Sequence, residues 1–143
     1  NTLTIVTAPG NPKNIESFAD LTRSELLVVT CAPQVPCGSA TQRIEESAGV
    51  DVKQVSEEAS VTDVLAKVTS GQADAGLVYV TDAAVAGDKV TEVPFPESAS
   101  AVNTYPIAVL EDATDDAASQ RFVDLVLSPE GQAVLAEAGF AQP

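Results

Sequence analysis

The stretch G-Q-A-D-A-G-L-V-Y-V-T-D-A at residues 71–83 decides how the rest of the sequence is interpreted. Its middle, Ala73–Val80, is a short and mostly apolar run, which is typical of a strand buried inside a sheet. Thr81 and Asp82 are residues that favour the start of a helix, and Gly87 would end that helix. The stretch therefore predicts a buried strand that leads directly into a short helix.

Further strands and helices precede this stretch in alternation. Strands are predicted at Leu3–Thr7, at Leu26–Thr30 and, more briefly, at Val52–Val55, because these runs are rich in apolar and β-branched residues. Helices are predicted from about residue 40 to residue 48 and again from Ser60 onward, where apolar residues recur with helical spacing. Alternating strands and helices predict an α/β protein whose mainly parallel sheet is flanked by helices.

The sequence changes character after these elements. Val90–Pro94 and Tyr105–Leu110 are predicted as two more strands. Two amphipathic helices follow, one led by Asp115 and Asp116 and one that starts at Pro129 and runs to about Ala138. The chain thus predicts an α/β region followed by a helical C-terminal region.

Composition excludes several classes of function. The 143 residues carry 21 acidic and 7 basic side chains, for a net charge of −14, and so lack the Lys/Arg clusters that nucleic-acid binding requires. No apolar run approaches the roughly 20 residues of a membrane-spanning helix. Methionine is absent, so Asn1 is not expected to be the translation start, and the chain is expected to be a processed or truncated piece.

Cysteine chemistry receives little support from the sequence. Cys37 lies between Pro36 and Gly38 at the predicted start of a helix, but the chain has no histidine that could activate its thiol. Cys31 and Cys37 are six positions apart, which matches neither the redox nor the zinc-finger spacing. A disulfide and a pair of buried free thiols both remain open. No catalytic residue, metal ligand or cofactor is predicted, and the protein is not expected to be an enzyme.

Two predicted helix starts and one tyrosine form the remaining candidate site. Ser39, with Gln42 three positions later, fits a capping box, and Ser60 is a second predicted cap that precedes Val61. The unpaired amides of a helix start can bind an oxyanion without any cation, and the hydroxyl of Tyr79 can add a donor. The alternative is that both are ordinary capped helices and that the tyrosine is a core aromatic residue.

Several segments together resemble one known family. The resemblance is carried by Asn11-Pro12, Val35-Pro36-Cys37-Gly38, S-V-T-D-V-L at 60–65, the stretch at 71–83, Y-P-I-A-V-L at 105–110 and the final A-G-F. In order and spacing they are similar to the extracytoplasmic molybdate-binding proteins of ABC transporters, the ModA-type family with the type II periplasmic-binding-protein fold. Cysteine at position 37, where the family usually has alanine, is a departure.

The resemblance implies a binding site made of main-chain and hydroxyl donors. Molybdate or tungstate would lie in a cleft between two lobes and accept hydrogen bonds from the backbone N–H of Cys37, the backbone N–H of Val61 and the hydroxyl of Tyr79. Ser39 and Ser60 would support these donors as helix caps. Sulfate would be rejected because a smaller anion leaves some donors unpaired.

The resemblance also implies how the whole protein is organised. Residues 1–107 would form the second lobe, with hinge strands at each end, and residues 108–143 would return to a first lobe that is largely missing. This chain would hold about half of the site, and the missing segment or another chain would cover Phe122, Leu125, Val126 and Leu135.

An ABC transporter permease is the expected partner, and the expected location is outside the cytoplasm, with a lipid anchor ahead of Asn1. The alternative is the sensing domain of a transcription regulator of the same fold. A DNA-reading helix-turn-helix upstream of Asn1 would indicate that alternative.

Overall fold

Within residues 1–142, the five strands form a single sheet. The computed structural model describes residues 1–142, in which two units are separated after Asn103. The strands are β1 (Leu3–Thr7), β2 (Val28–Cys31), β3 (Gln54–Glu58), β4 (Ala75–Tyr79) and β5 (Thr91–Val93), and their order in the sheet is β3-β2-β4-β1-β5. The strand predicted at Ala73–Val80 is therefore β4, the central strand of the sheet.

The sheet is mixed in direction. Strand β2 runs parallel to both β3 and β4, with Val28 opposite Ala75 in the second pair. Strand β1 runs antiparallel to β4 and β5, and its Leu3 lies opposite Tyr79. The predicted α/β class is confirmed, but only half of the strand pairs are parallel, because β1 enters the sheet from the opposite direction.

Three α-helices follow the three parallel strands. They are α1 (Pro36–Ala48) after β2, α2 (Val61–Thr69) after β3 and α3 (Val80–Ala86) after β4. Short 3₁₀ helices at Phe18–Thr22, Gly87–Lys89 and Pro96–Ala101 were not predicted, because one or two turns carry no recognisable helical period. An α-helix therefore follows each parallel strand, directly after β4 and after short connections from β2 and β3.

The core lies within residues 1–103. Every residue of β1 and of β4 is buried, so these two strands have other elements packed on both faces. The first 3₁₀ helix buries Phe18, whose ring stacks on Phe95 with the centroids 5.0 Å apart. Helices α1 and α2 add Ile44 and Val64 to the same cluster. This core fixes the ends of the central strands.

The unit that starts at Thr104 is a pair of helices preceded by an irregular segment. Helices α4 (Asp116–Leu127) and α5 (Pro129–Glu137) are joined at Ser128, and Tyr105 meets Phe140 edge to face. The strand predicted at Tyr105–Leu110 is wrong: the segment has no regular structure, since its backbone pairs with no strand of the described residues. The assignment of residues 1–107 and 108–143 to two lobes stays a prediction.

Candidate functional site

The carboxyl ends of β2, β3 and β4 bring three helix starts to one edge of the sheet. The three strands are neighbours in the order β3-β2-β4, and each passes into a helix at this edge. Because neighbouring strands lie about 4.8 Å apart, the three strand ends fall within about 10 Å along the edge. Ligands of open α/β sheets bind outside the carboxyl ends of strands, so this edge is the candidate site.

Helix α1 offers the amides of its first turn at this edge. Pro36 is the first helical residue and Val35 is the N-cap, without a side-chain cap hydrogen bond. The first hydrogen bond inside the helix runs from the Ser39 N–H to the Val35 carbonyl, at 3.0 Å. The N–H groups of Cys37 and Gly38 precede that bond and so have no partner within the helix.

The prediction that Ser39 caps this helix is wrong. Ser39 is the fourth helical residue, and its own N–H already bonds to Val35 within the helix. The reason is Pro36, which has no N–H to satisfy and a backbone angle suited to the first helical position. The helix therefore begins several residues earlier than predicted, and Cys37 lies in its first turn.

A disulfide joins Cys31, the last residue of β2, to Cys37, and their Cα atoms are 5.6 Å apart. The sequence left free thiols open as the alternative, but the described residues contain no free cysteine. Neither sulfur can therefore act as the nucleophile of a thiol enzyme while the bond is intact.

Glycine is required at position 38 because the chain approaches itself closely there. A Cβ atom added to Gly38 would lie 2.0 Å from the carbonyl oxygen of Ala32. The first turn of α1 thus packs directly on the backbone that leaves β2.

Helix α2 begins at the same edge with a side-chain cap. The Ser60 hydroxyl oxygen accepts a hydrogen bond from the Asp63 N–H at 3.2 Å, and the hydroxyl donates to the Asp63 carboxylate at 2.7 Å. Ser60 therefore lies at the cap position that the sequence predicted. Val61 is the first helical residue, so its N–H, like that of Thr62, has no partner within the helix.

Tyr79 ends strand β4 and is 7% exposed, so most of its ring belongs to the core. Its hydroxyl oxygen accepts a hydrogen bond from the side-chain amide of Asn103, at 3.3 Å. Its backbone N–H donates to the Asp82 carboxylate at 3.1 Å. Burial raises the pKa of Asp82, and the hydrogen bond from Tyr79 opposes that rise. The two contacts fix the tyrosine where β4 passes into α3.

Asn103 is a residue of this edge that the sequence did not identify. Besides its contact with Tyr79, its backbone N–H donates to the Asn1 carbonyl at 2.8 Å. It lies 24 positions after the tyrosine and outside any motif, so no local signal could have found it.

The carboxylate at the end of β3 is neutralised by a nearby lysine. Lys67 on α2 donates hydrogen bonds to Glu58 and, at 2.8 Å, to the Ser56 hydroxyl oxygen. Hydrogen bonds from Lys67 and then from Ser56 hold the pKa of Glu58 below its ordinary value. The pairing places a positive charge beside the one acidic residue of β3 that borders the start of α2.

Within residues 1–142, no group of three or more His, Cys, Asp or Glu side chains is placed to hold a metal ion. None of the helices in these residues has the length and apolar character to cross a bilayer.

A family model described as bacterial extracellular solute-binding protein matches residues 1–141. The molybdate-binding protein ModA of Mycobacterium tuberculosis is 57% identical over 143 residues, which are 100% of this chain and 55% of that relative. A sulfate-binding protein of Synechococcus elongatus is 29% identical over 158 residues, covering 95% of this chain and 45% of the relative. The chain spans about half the length of the curated relatives it matches.

Solved structures agree with these sequence matches. The substrate-binding domain of a proposed molybdenum ABC transporter from Clostridium difficile superposes with a TM-score of 0.83 at 26% identity, over 100% of this chain and 64% of the other. The periplasmic molybdate-binding protein of Azotobacter vinelandii gives a TM-score of 0.71 at 20% identity, over 99% and 66%. The second likeness supports the fold alone.

Proposed function

Because this chain belongs to the family of bacterial extracellular solute-binding proteins, we propose that it binds molybdate or tungstate for delivery to an ABC transporter. The donors in this proposal are the backbone N–H of Cys37, the backbone N–H of Val61 and the hydroxyl of Tyr79. The role is binding rather than catalysis, and molybdate is the ligand rather than a cofactor.

One observation carries the proposal: the starts of α1 and α2 and the end of β4 meet at one edge of the sheet. Amides in the first turn of a helix have no partner within that helix and carry the positive end of its dipole, so they can hold an oxyanion without lysine or arginine. The net charge of −14 does not oppose this, because exposed carboxylates beyond about 10 Å are screened at moderate salt.

Molybdate is favoured over sulfate by the similarity among the relatives. The relative at 57% identity is named for molybdate, and the one at 29% identity is named for sulfate. A ring of fixed donors selects by size, because an anion that is too small leaves some donors without a partner. Transport is favoured over the regulator alternative because these relatives are themselves binding proteins.

The rest of the site belongs, in this proposal, to sequence outside residues 1–143. Residues 1–107 would form the second lobe with hinge strands at its ends, and residues 108–143 would return to the first lobe. That lobe would supply the remaining hydroxyl donors, cover the apolar faces of the last helices and complete the surface that docks on the permease. The protein would act outside the cytoplasm, held by a lipid anchor ahead of Asn1.

Isothermal titration of the full gene product that contains this chain tests the ligand. We expect tight binding of molybdate and tungstate that a large excess of sulfate does not displace. Residues 1–143 alone should bind weakly or not at all, since they hold about half of the donors. A full gene product that bound neither anion would refute the transport proposal, and tight binding by residues 1–143 alone would refute the half-site.

Tyr79→Phe in the full gene product tests the site itself. Removing the hydroxyl should weaken molybdate binding by about 10- to 150-fold, because a hydrogen bond to a charged group is worth about 1.5–3 kcal/mol. Tyr105→Phe is the matched control, since Tyr105 lies in the second unit and its ring contacts Phe140. If the two variants bound molybdate with equal affinity, the Tyr79 hydroxyl would not be a donor to the anion.

A further inference from the structure

The two helix starts that would bind the anion are held in different ways. At α2, the Ser60 hydroxyl oxygen accepts a hydrogen bond from the Asp63 N–H in the first turn. At α1, Val35 occupies the equivalent cap position and makes no such bond. We propose that the Cys31–Cys37 disulfide takes the place of the missing cap and positions the Cys37 amide for the oxyanion. This inference rests on the proposed function and concerns the same site.

The bridge connects the helix start to an interior strand of the sheet. Cys31 ends β2, which is hydrogen-bonded to β3 on one side and to β4 on the other. Cys37 is the second residue of α1, and both cysteines are buried. The disulfide therefore ties the first turn of α1 to a strand that cannot move without disturbing the sheet.

The connecting segment would not hold the helix start by itself. Between the cysteines, Gln34 and Pro36 are exposed and Ala32, Pro33 and Val35 are only partly buried. Among the described residues, the segment is tied to the sheet only at its first residue, where the Ala32 N–H donates to the Glu58 carbonyl at 2.8 Å, and its one internal turn hydrogen bond runs from the Val35 N–H to the Ala32 carbonyl at 3.1 Å. Covalent closure of this segment removes conformations that would otherwise displace the Cys37 amide from the edge.

A covalent tether has an advantage that a side-chain cap lacks at an anion site. A capping side chain accepts a hydrogen bond from the second or third amide of the helix, and in α1 these amides belong to Cys37 and Gly38. A disulfide accepts none of them, so both amides stay outside the helix's own hydrogen bonds. The tether and the oxyanion therefore do not compete for the same donors.

Two neighbouring contacts limit how α1 can turn about the bridge. Gly38 packs against the Ala32 carbonyl so closely that no Cβ atom fits between them. Inside the helix, the Thr41 hydroxyl donates to the Cys37 carbonyl at 2.9 Å, in a buried position. With the disulfide, these contacts fix the direction of the Cys37 N–H before any ligand arrives. Such preorganisation raises affinity because binding then orders fewer groups.

The test compares the oxidised full gene product with its Cys31→Ala/Cys37→Ala double variant by isothermal titration with molybdate. We expect the double variant to bind at least about fivefold more weakly, the change that corresponds to losing one helix cap, with faster dissociation. Dithiothreitol should weaken the wild type to the same degree and leave the double variant unchanged. If the double variant does not fold, the reduced wild type provides the same comparison.

A Val35→Ser substitution in the double variant separates positioning from general stabilisation. Val35 has the extended backbone of a cap residue, so serine there can cap α1 through the N–H of position 37, the second helical amide and the one assigned to the anion. We expect the thermal midpoint to recover while molybdate affinity stays low, because the new cap consumes a first-turn amide. If both the thermal midpoint and the molybdate affinity recovered, the disulfide would only stabilise the fold, and the inference would be overturned.

The remaining outcomes distinguish this inference from the proposed function. Tight molybdate binding by the wild type with equal affinity in the double variant would overturn the inference and leave the function intact. No binding by the oxidised wild type would overturn the proposed function, and the inference with it.

Discussion

Residues 1–103 and residues 104–142 both contain well-formed helices, but they differ in what those helices bury. In the first unit, α1 and α2 bury Ile44, Val64 and Val68 in a continuous apolar core. In the second, neither α4 nor α5 buries any residue. The second unit has capped, amphipathic helices and yet lacks a core.

The second unit exposes apolar residues of its two amphipathic helices, which in a folded protein are usually buried against a neighbouring surface. Phe122, Leu125 and Val134 are 60%, 55% and 65% exposed. Two apolar grooves follow these helices, one beside Phe122 and one between Leu125 and Val134. The difference between the units teaches that amphipathic periodicity establishes a helix locally, while burial needs a second surface that periodicity does not specify.

The largest difference between the two units is expected in the stability lost when an aromatic residue of each is truncated in the 143-residue chain. Phe18→Ala should lower the free energy of unfolding by about 3–5 kcal/mol, because Phe18 is fully buried and stacked on Phe95. Phe122→Ala, at an exposed position, should lower it by less than about 0.5 kcal/mol. Urea unfolding followed by circular dichroism gives both values. Similar losses at the two positions would contradict the difference in packing.

A smaller difference in stability is expected when glycine is replaced by alanine at the two Pro-x-Gly helix starts, one in each unit. Gly38→Ala should cost about 2 kcal/mol, because the new Cβ would lie 2.0 Å from the Ala32 carbonyl in a buried turn. Gly131→Ala places a Cβ 2.3 Å from the Leu125 carbonyl, but it does so in a unit without a core. We expect its cost to stay within about 1 kcal/mol, since the surroundings can shift.

Thermal unfolding of the two glycine variants measures this difference. The wild-type chain under the same buffer is the reference, and Gly49→Ala, where φ is +66° and no atom crowds the Cβ, reports backbone strain alone. A Gly131→Ala variant that lost as much stability as Gly38→Ala would show that the second unit is as firmly packed as the first.

The smallest effect concerns electrostatics. The ion pairs found in the described residues all lie in the first unit, and Lys67–Glu58 is among them. Because the pKa of folded Glu58 is lowered, the pair stabilises the fold above the ordinary value of 4.5 and loses its effect as pH falls through the lowered native pKa. Lys67→Met should therefore cost about 0.5 kcal/mol at pH 7.

Urea unfolding of the wild type and Lys67→Met between pH 3 and pH 7 measures that loss. The stability difference should be constant at the upper end and shrink below about pH 4.5, where Glu58 becomes protonated first in the unfolded chain. Arg121→Met, in helix α4, is the matched control and should give no pH-dependent difference. A difference that persisted unchanged to pH 3 would assign the effect to lost packing of the lysine stem.

Much of the candidate site could be predicted because its signals are local. The strand at 75–79 is a buried apolar run, and Ser60 with Asp63 is a capping pattern confined to four residues. Pro36 was misjudged because its effect on the helix start competes with the capping pattern of Ser39, and only the actual hydrogen bonds decide between them. Asn103 was missed because its partners, Asn1 and Tyr79, are distant in sequence.

By itself the sequence determined the α/β class, most of the strands and helices, and the amide-rich helix start at Val61, while it placed the start of α1 several residues too late. These features follow from side-chain periodicity and from residues within one helical turn of each other. Tertiary structure alone decided the antiparallel placement of β1, the disulfide rather than free thiols, and the contact of Asn103 with Tyr79. Those depend on which segments meet in space, and sheet pairing and packing settle that across long stretches of chain.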